Sequence, residues 1–99
     1  MDICCYIIFS QKLDKFYTGV CQENLSSRIE KHNTHYYSNK NFTAKTDDWI
    51  LFIKIDTDDF SHARRIELKI KSMKSSVFIK NLKKYPELLS KFFYETKGN

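Results

Sequence analysis

The chain has only two glycines and one proline among 99 residues. That scarcity excludes a flexible linker and the low-complexity composition of disordered chains, and 41% hydrophobic against 29% charged residues provides enough apolar surface to fold. Cysteine is nearly as sparse. Cys4, Cys5 and Cys21 are odd in number, lack metal-ligand spacing and set two thiols side by side where they do not readily pair. Neither a disulfide framework nor a zinc site is expected, and a reducing, cytoplasmic setting is. Long apolar runs are missing too. The longest, Ile3 to Phe9, follows Asp2 rather than a basic leader and falls far short of the ~20 residues that span a bilayer. No membrane association is expected. No internal repeat is visible, and the length fits one domain, residues 1–99.

Aromatic residues, in contrast, are plentiful: eight Phe, six Tyr and one Trp make up 15% of the chain and predict an aromatic-rich core. The net charge is +5, and it is unevenly spread. Residues 1–60 hold seven Lys or Arg and nine Asp or Glu, whereas residues 61–99 hold ten and three. The excess therefore lies in the C-terminal third, and a localised basic segment favours an anionic partner, either nucleic acid, which is the expectation here, or an acidic membrane surface. A solvated lysine-rich helix surface explains the charge equally well.

Ile3 to Phe9 and Phe16 to Cys21 are β-branched and aromatic runs separated by a short polar stretch, which predicts a β-hairpin. Asn24 suits the N-cap of a helix carrying Leu25, Ile29 and Tyr36 and ending near Tyr37. A polar loop with Lys40 and Lys45 follows. Trp49 to Ile55 then reads as a third strand, so continuously apolar that both its faces are expected to be covered. Asp58 and Asp59 precede a helix with Ala63, Ile66, Ile70 and Met73 on one side. Ser75 or Ser76 caps a short third helix that stops before Pro86, and Pro86 opens a last helix over 86–95. The order predicts a small α+β domain, a three-stranded antiparallel sheet made of a hairpin plus a third strand and packed with helices.

The chemistry-bearing residues fall in a telling order. Two strand tyrosines, Tyr6 and Tyr17, precede a helix with Arg28 and His32 on one face, and a later helix carries one interior acid, Glu67. An arginine fork suits phosphate oxygens and developing negative charge. A lone carboxylate suits Mg²⁺, which keeps most of its waters and takes phosphate oxygens as ligands. Each residue also has a plainer explanation: an exposed helix arginine, a core tyrosine with its hydroxyl bonded, and for Glu67 an ordinary helix ion pair with Arg64 and Lys71.

The triplets Cys5-Tyr6-Ile7 and Tyr17-Thr18-Gly19, then Arg28 with His32 in the next helix, then Glu67, resemble the GIY-YIG nuclease family, and the likeness runs over about residues 3–85. It is most similar to the small members without an attached DNA-binding domain. The resemblance implies an endonuclease or nicking enzyme acting on DNA, in repair or recombination, through one Mg²⁺ or Mn²⁺ and attack by water. It assigns Arg28 to the scissile phosphate, Glu67 to the metal, Tyr17 to the attacking water, Tyr6 and His32 to the lining of the same site, and Asn81 to a downstream contact with it. A free phenol titrates near pH 10 and is a poor base at neutrality; in the family nearby cations compensate. Cys5 and Thr18 replace the Gly and Ile of the family's triplets, and Val20 stands where some DNA-repair members carry Lys. Lys69, Lys71, Lys74, Lys80, Lys83 and Lys84 follow Glu67 and would neutralise phosphates with little sequence specificity. Two other expectations fit the same residues: a catalytically weak or inactive nucleic-acid-binding module, and a protein-interaction domain whose lysines only solubilise it. A protein partner or a homodimer is compatible with each.

Overall fold

A computed structural model describes residues 2–35 and 42–98. Strands β1 (Cys4–Ser10) and β2 (Lys15–Cys21) form the expected hairpin, and β3 (Ile50–Asp56) pairs antiparallel with the other side of β1, giving the order β2-β1-β3. Helix α1 (Leu25–Asn33) lies between β2 and β3 in sequence, and α2 (Phe60–Met73), α3 (Ser76–Lys84) and α4 (Pro86–Thr96) follow. The sequence-based expectation of an α+β arrangement, a three-stranded antiparallel sheet with helices, holds.

Local chemistry sets the helix starts. Asn24, Asp59 and Ser75 each accept a backbone N–H from three residues on, satisfying one of the donors that a helix start leaves unpaired. Pro86 occupies the first turn of α4, where its missing N–H costs nothing. Helix α1 is shorter than expected. It ends at Asn33, because Thr34 leaves the helical region and His35 takes a left-handed φ of 59°; Tyr36, Tyr37 and Lys40 lie outside the described residues.

The sheet has a core on each face. Cys5, Ile7, Ile53 and Ile55 meet Ile66 and Ile70 of α2, Ile79 and Leu82 of α3 and Phe92 of α4. On the other face Cys4, Tyr6, Ile8 and Cys21 pack with Leu25 of α1 and with Trp49. Central strand β1 is therefore buried on both sides, as its unbroken apolar run requires. Strand β3 is not, contrary to expectation. Ile50 and Leu51 are 61% and 44% exposed, and Lys54 and Asp56 point to solvent. On the α1 face the reason is width: one helix is ~10 Å across and strands are ~4.8 Å apart, so α1 covers β1 and β2 and leaves Leu51, Lys54 and Asp56 of the outer strand open, while Ile50, opposite Phe9, lies on the other face at the start of the strand. A register shift at Ile7/Ile8, where Ile53 and Leu51 oppose successive residues of β1, adds a bulge at Phe52.

Two side-chain clamps tie the connection between α1 and β3 to this frame. Asn33 donates its amide N–H to the Trp49 carbonyl (3.0 Å) and accepts the Trp49 N–H (2.8 Å). Asp48 accepts from Ser10 Oγ (2.5 Å), Thr46 Oγ1 (2.7 Å) and the Lys12 N–H (2.9 Å), bonds led by Ser10 that hold its carboxyl down at about 2.

Candidate active site

Tyr6 and Tyr17 come from adjacent strands and face α1. Tyr6 stands directly opposite Gly19, and Ile8 opposite Tyr17. Tyr6 is wholly buried, and its ring fills the space over Gly19: a Cβ there would sit 2.6 Å from Tyr6 Oη and 2.7 Å from Cζ. The glycine is needed because the first tyrosine occupies the place of a side chain.

Arg28 and His32 project from α1 onto the same spot, one turn apart. Arg28 Nε donates to Tyr6 Oη at 3.2 Å, and Tyr6 Oη lies 2.8 Å from His32 Nε2. The other ring nitrogen of His32, Nδ1, is 2.9 Å from Thr43 Oγ1. His32 is 3% exposed, and burial, seconded by the Arg28 charge, lowers its pKa to about 4. It is thus neutral at pH 7, with one N–H and one lone pair, and hydroxyls on both sides can meet either. Arg28 is also fixed on its other side, where Glu23 Oε2 accepts from Nη1 at 3.2 Å while Glu23 Oε1 accepts from Lys31 at 2.8 Å. A half-buried guanidinium held at two ends is pre-oriented, so little freedom is lost when it meets an anion.

Glu67 approaches from the other face. It is 4% exposed on α2, and its charge raises the thiol pKa of Cys5, itself already pushed up by burial. The carboxylate accepts from Arg64 on one oxygen and from Lys71 Nζ (2.9 Å) on the other. The helix ion pairs expected from the spacing are present, but around a buried carboxylate rather than a solvated one. Lys71 links the two faces: its ammonium lies 5.6 Å from the centre of the Tyr17 ring at the β2 edge of the sheet. Tyr17 in turn neighbours His32 at 5.2 Å, Phe42 at 6.3 Å and Trp49 at 6.4 Å between ring centres.

Tyr6, Tyr17, Arg28 and His32 are therefore in one connected cluster, with Glu67 one lysine away. Asn81 is half-buried on α3, and its side chain makes no hydrogen bond to them among the described residues. The six lysines have different neighbours. Lys71 and Lys74 border Tyr17, Lys83 sits 4.5 Å over the Phe52 ring and Lys84 5.4 Å over Tyr85, and Lys69 and Lys80 are exposed. His35, outside the pattern, is exposed and contacts the Thr46 carbonyl.

Sequence reasoning passed over Thr43, which lies in a single 3₁₀ turn (Phe42–Lys45), and Trp49 as its support. The Trp49 indole N–H donates to the Thr43 carbonyl at 2.8 Å, setting the hydroxyl against His32. No short-range signal marks such a threonine.

Among the described residues no three His, Cys, Asp or Glu side chains group as metal ligands. Among the described residues Glu67 is the buried carboxylate near the cluster, which fits an ion that is held by one carboxylate and otherwise by water and substrate phosphate. No helix among the described residues is long and apolar enough to cross a membrane.

No curated protein and no solved structure matches the chain. A family model does: the ordered tyrosines, the arginine and histidine on α1 and the acid on α2 all fall within residues 2–84, matched by the GIY-YIG catalytic domain, and the chain belongs to that family of DNA-cutting nucleases.

Proposed function

We propose that this protein is a divalent-metal-dependent endonuclease that nicks DNA by one-metal hydrolysis, with water as the nucleophile. The observation that carries the reading is the fixed chain Arg28–Tyr6–His32–Thr43 beside Tyr17, with the buried carboxylate of Glu67 reached through Lys71. Arg28 binds the scissile phosphate and stabilises the charge that grows on its oxygens. Tyr6 holds that guanidinium in place, and neutral His32 holds Tyr6. Tyr17 orients the attacking water, in the field of the Lys71 ammonium. Glu67 holds Mg²⁺ or Mn²⁺, which when bound supplies positive charge to the leaving oxygen. Asn81 is assigned a supporting contact and the lysines a non-specific hold on the phosphates. One such site cuts one strand, so a double-strand break takes two molecules or two successive nicks. Three free, buried thiols suit a reducing compartment, the cytoplasm.

A second reading has its own observation: each oxygen of Glu67 already carries a cationic partner, Arg64 or Lys71, so a metal must use the remaining lone pairs beside two positive charges or displace one of them. A chain in which those two charges keep the metal out would bind DNA without cutting it. Supercoiled plasmid incubated with Mg²⁺ or Mn²⁺ distinguishes the two. Nicking is expected, with Arg28→Lys and Glu67→Gln reducing it at least ~100-fold, the scale of losing one charge-stabilising group, while salt-sensitive DNA binding persists. Binding without nicking by the wild type would favour the second reading. Variants that nick as well as the wild type would remove the proposed site.

A further inference from the structure

A hollow of about 490 Å³ opens between the start of β2 and the junction of α2 with α3. Tyr17 and Lys71 line it, together with Lys15, Phe42, Lys74 and Asp14, whereas Tyr6, Arg28, His32 and Glu67 do not. It is thus a separate space that shares one wall with the candidate active site. Its volume lies within the range of small-ligand pockets, ~300–1,000 Å³, and suits one nucleotide.

Two features of the wall point to a ligand with both a flat apolar face and negative charge. Phe42, 38% exposed, holds its ring nearly parallel to that of Tyr17, at 16°, and presents aromatic surface to the hollow. Lys15 and Lys74 are exposed and have no ion pair among the described residues, whereas Lys71 is already paired with Glu67; the one carboxylate lining the hollow is Asp14. Phosphate alone would use the lysines and leave the rings idle. A nucleobase uses the rings, because every base offers a π-face to an aromatic side chain. Within a continuous duplex both faces of each base are covered by its neighbours, and only an unpaired base has one to give.

We propose that this hollow binds one unpaired nucleotide next to the scissile phosphate, the base on Phe42 and Tyr17 and the flanking phosphate between Lys15 and Lys74. The inference rests on the nuclease reading above and adds to it the class of substrate: DNA carrying a single-stranded arm or gap, preferred over unbroken duplex.

The test uses the whole chain and a duplex with a single-stranded arm whose first unpaired base is 2-aminopurine, beside a blunt duplex of the same length, both without divalent metal. The wild type should bind the armed duplex at least about five-fold more tightly, the low end of base–aromatic stacking, and its binding should quench the 2-aminopurine. Phe42→Leu, which keeps the apolar bulk and removes the π-face, should abolish both the preference and the quenching, and Phe42→Tyr should restore them. Equal affinity for the two duplexes, or preference and quenching that survive in Phe42→Leu, would overturn the proposal. Plasmid nicking by the wild type separates the two ideas: nicking without arm preference defeats the subsite alone, and arm preference without nicking defeats the nuclease reading alone.

Discussion

Gly19→Ala is the sharpest single perturbation of the site, because it adds one methyl group and removes none of the polar groups. The new Cβ would lie 2.6 Å from Tyr6 Oη, 2.7 Å from Cζ and 3.1 Å from Cε1. Tyr6 cannot retreat by bending a flexible tip. Its ring is wholly buried among Cys4, Ile8, Cys21, Leu25 and Trp49, and its hydroxyl is held at 2.8 Å by His32 and at 3.2 Å by Arg28. Overpacking of this kind costs about 1–3 kcal/mol, and each hydrogen bond broken as the ring shifts adds about 0.5–1.5 kcal/mol. A total near ~3 kcal/mol lowers the melting temperature of a domain this size by roughly 12–24 °C. Circular dichroism melts would show it, and plasmid nicking below the new Tm should fall as well, since Arg28 loses the acceptor that orients it. Adding Tyr6→Phe should recover only part of the loss, because the Cζ contact stays. A melting temperature within ~2 °C of the wild type, with nicking intact, would refute the claim that ring and glycine share this space.

Thr43→Val keeps the shape of the residue and strips His32 Nδ1 of its partner; it should destabilise the fold by about 1–3 kcal/mol in urea titration and shift the ¹⁵N resonances of the His32 ring. The depressed pKa of His32 gives a pH dependence of defined sign. The unfolded chain takes up a proton near pH 6.5 and the native one only near 4, so the contribution is complete above 6.5 and is lost as pH falls towards 4, by up to about 3 kcal/mol. Stability measured across that window should be flatter in His32→Gln. Burial pushes the Cys4 thiol up to about 12 and raises Cys5 as well; a thiol-reactive disulfide reagent at pH 8 should find no thiol in the native protein and three in denaturant, and fast reaction of the native form would contradict the burial.

What could be read from the sequence was what local chemistry decides. Asn24, Asp59, Ser75 and Pro86 mark helix starts because caps act within one turn, and the tyrosine, arginine and glutamate positions stand out because their order is kept along the chain. Coverage of β3 was not legible. Ile50 and Leu51 are as apolar as Ile53 and Ile55, and which of them meet solvent is decided by how far the helices on each face reach along and across the sheet. Nor was the role of Thr43, which depends on a tryptophan six positions later whose own place is fixed by Asn33. The burial of Glu67 between two half-exposed cations was hidden for a similar reason: its neighbours on α2 give the ion pairs, but β1 and the rest of the core supply the burial.

The reciprocal amide pairing of Asn33 with Trp49 has a consequence for the order in which the molecule assembles. The β1–β2 hairpin closes over a four-residue turn, whereas pairing of Phe9 with Ile50 must first close a much longer loop, a slower step. Until β3 has joined, no strand pairing anchors Trp49, so the Asn33 clamp and the Trp49 bond that seats Thr43 against His32 lack their hold on the sheet. The reactive cluster is therefore completed late, by the longer-range of the sheet's two strand pairings, and a nascent or half-folded chain already carrying both tyrosines and the arginine lacks the finished site.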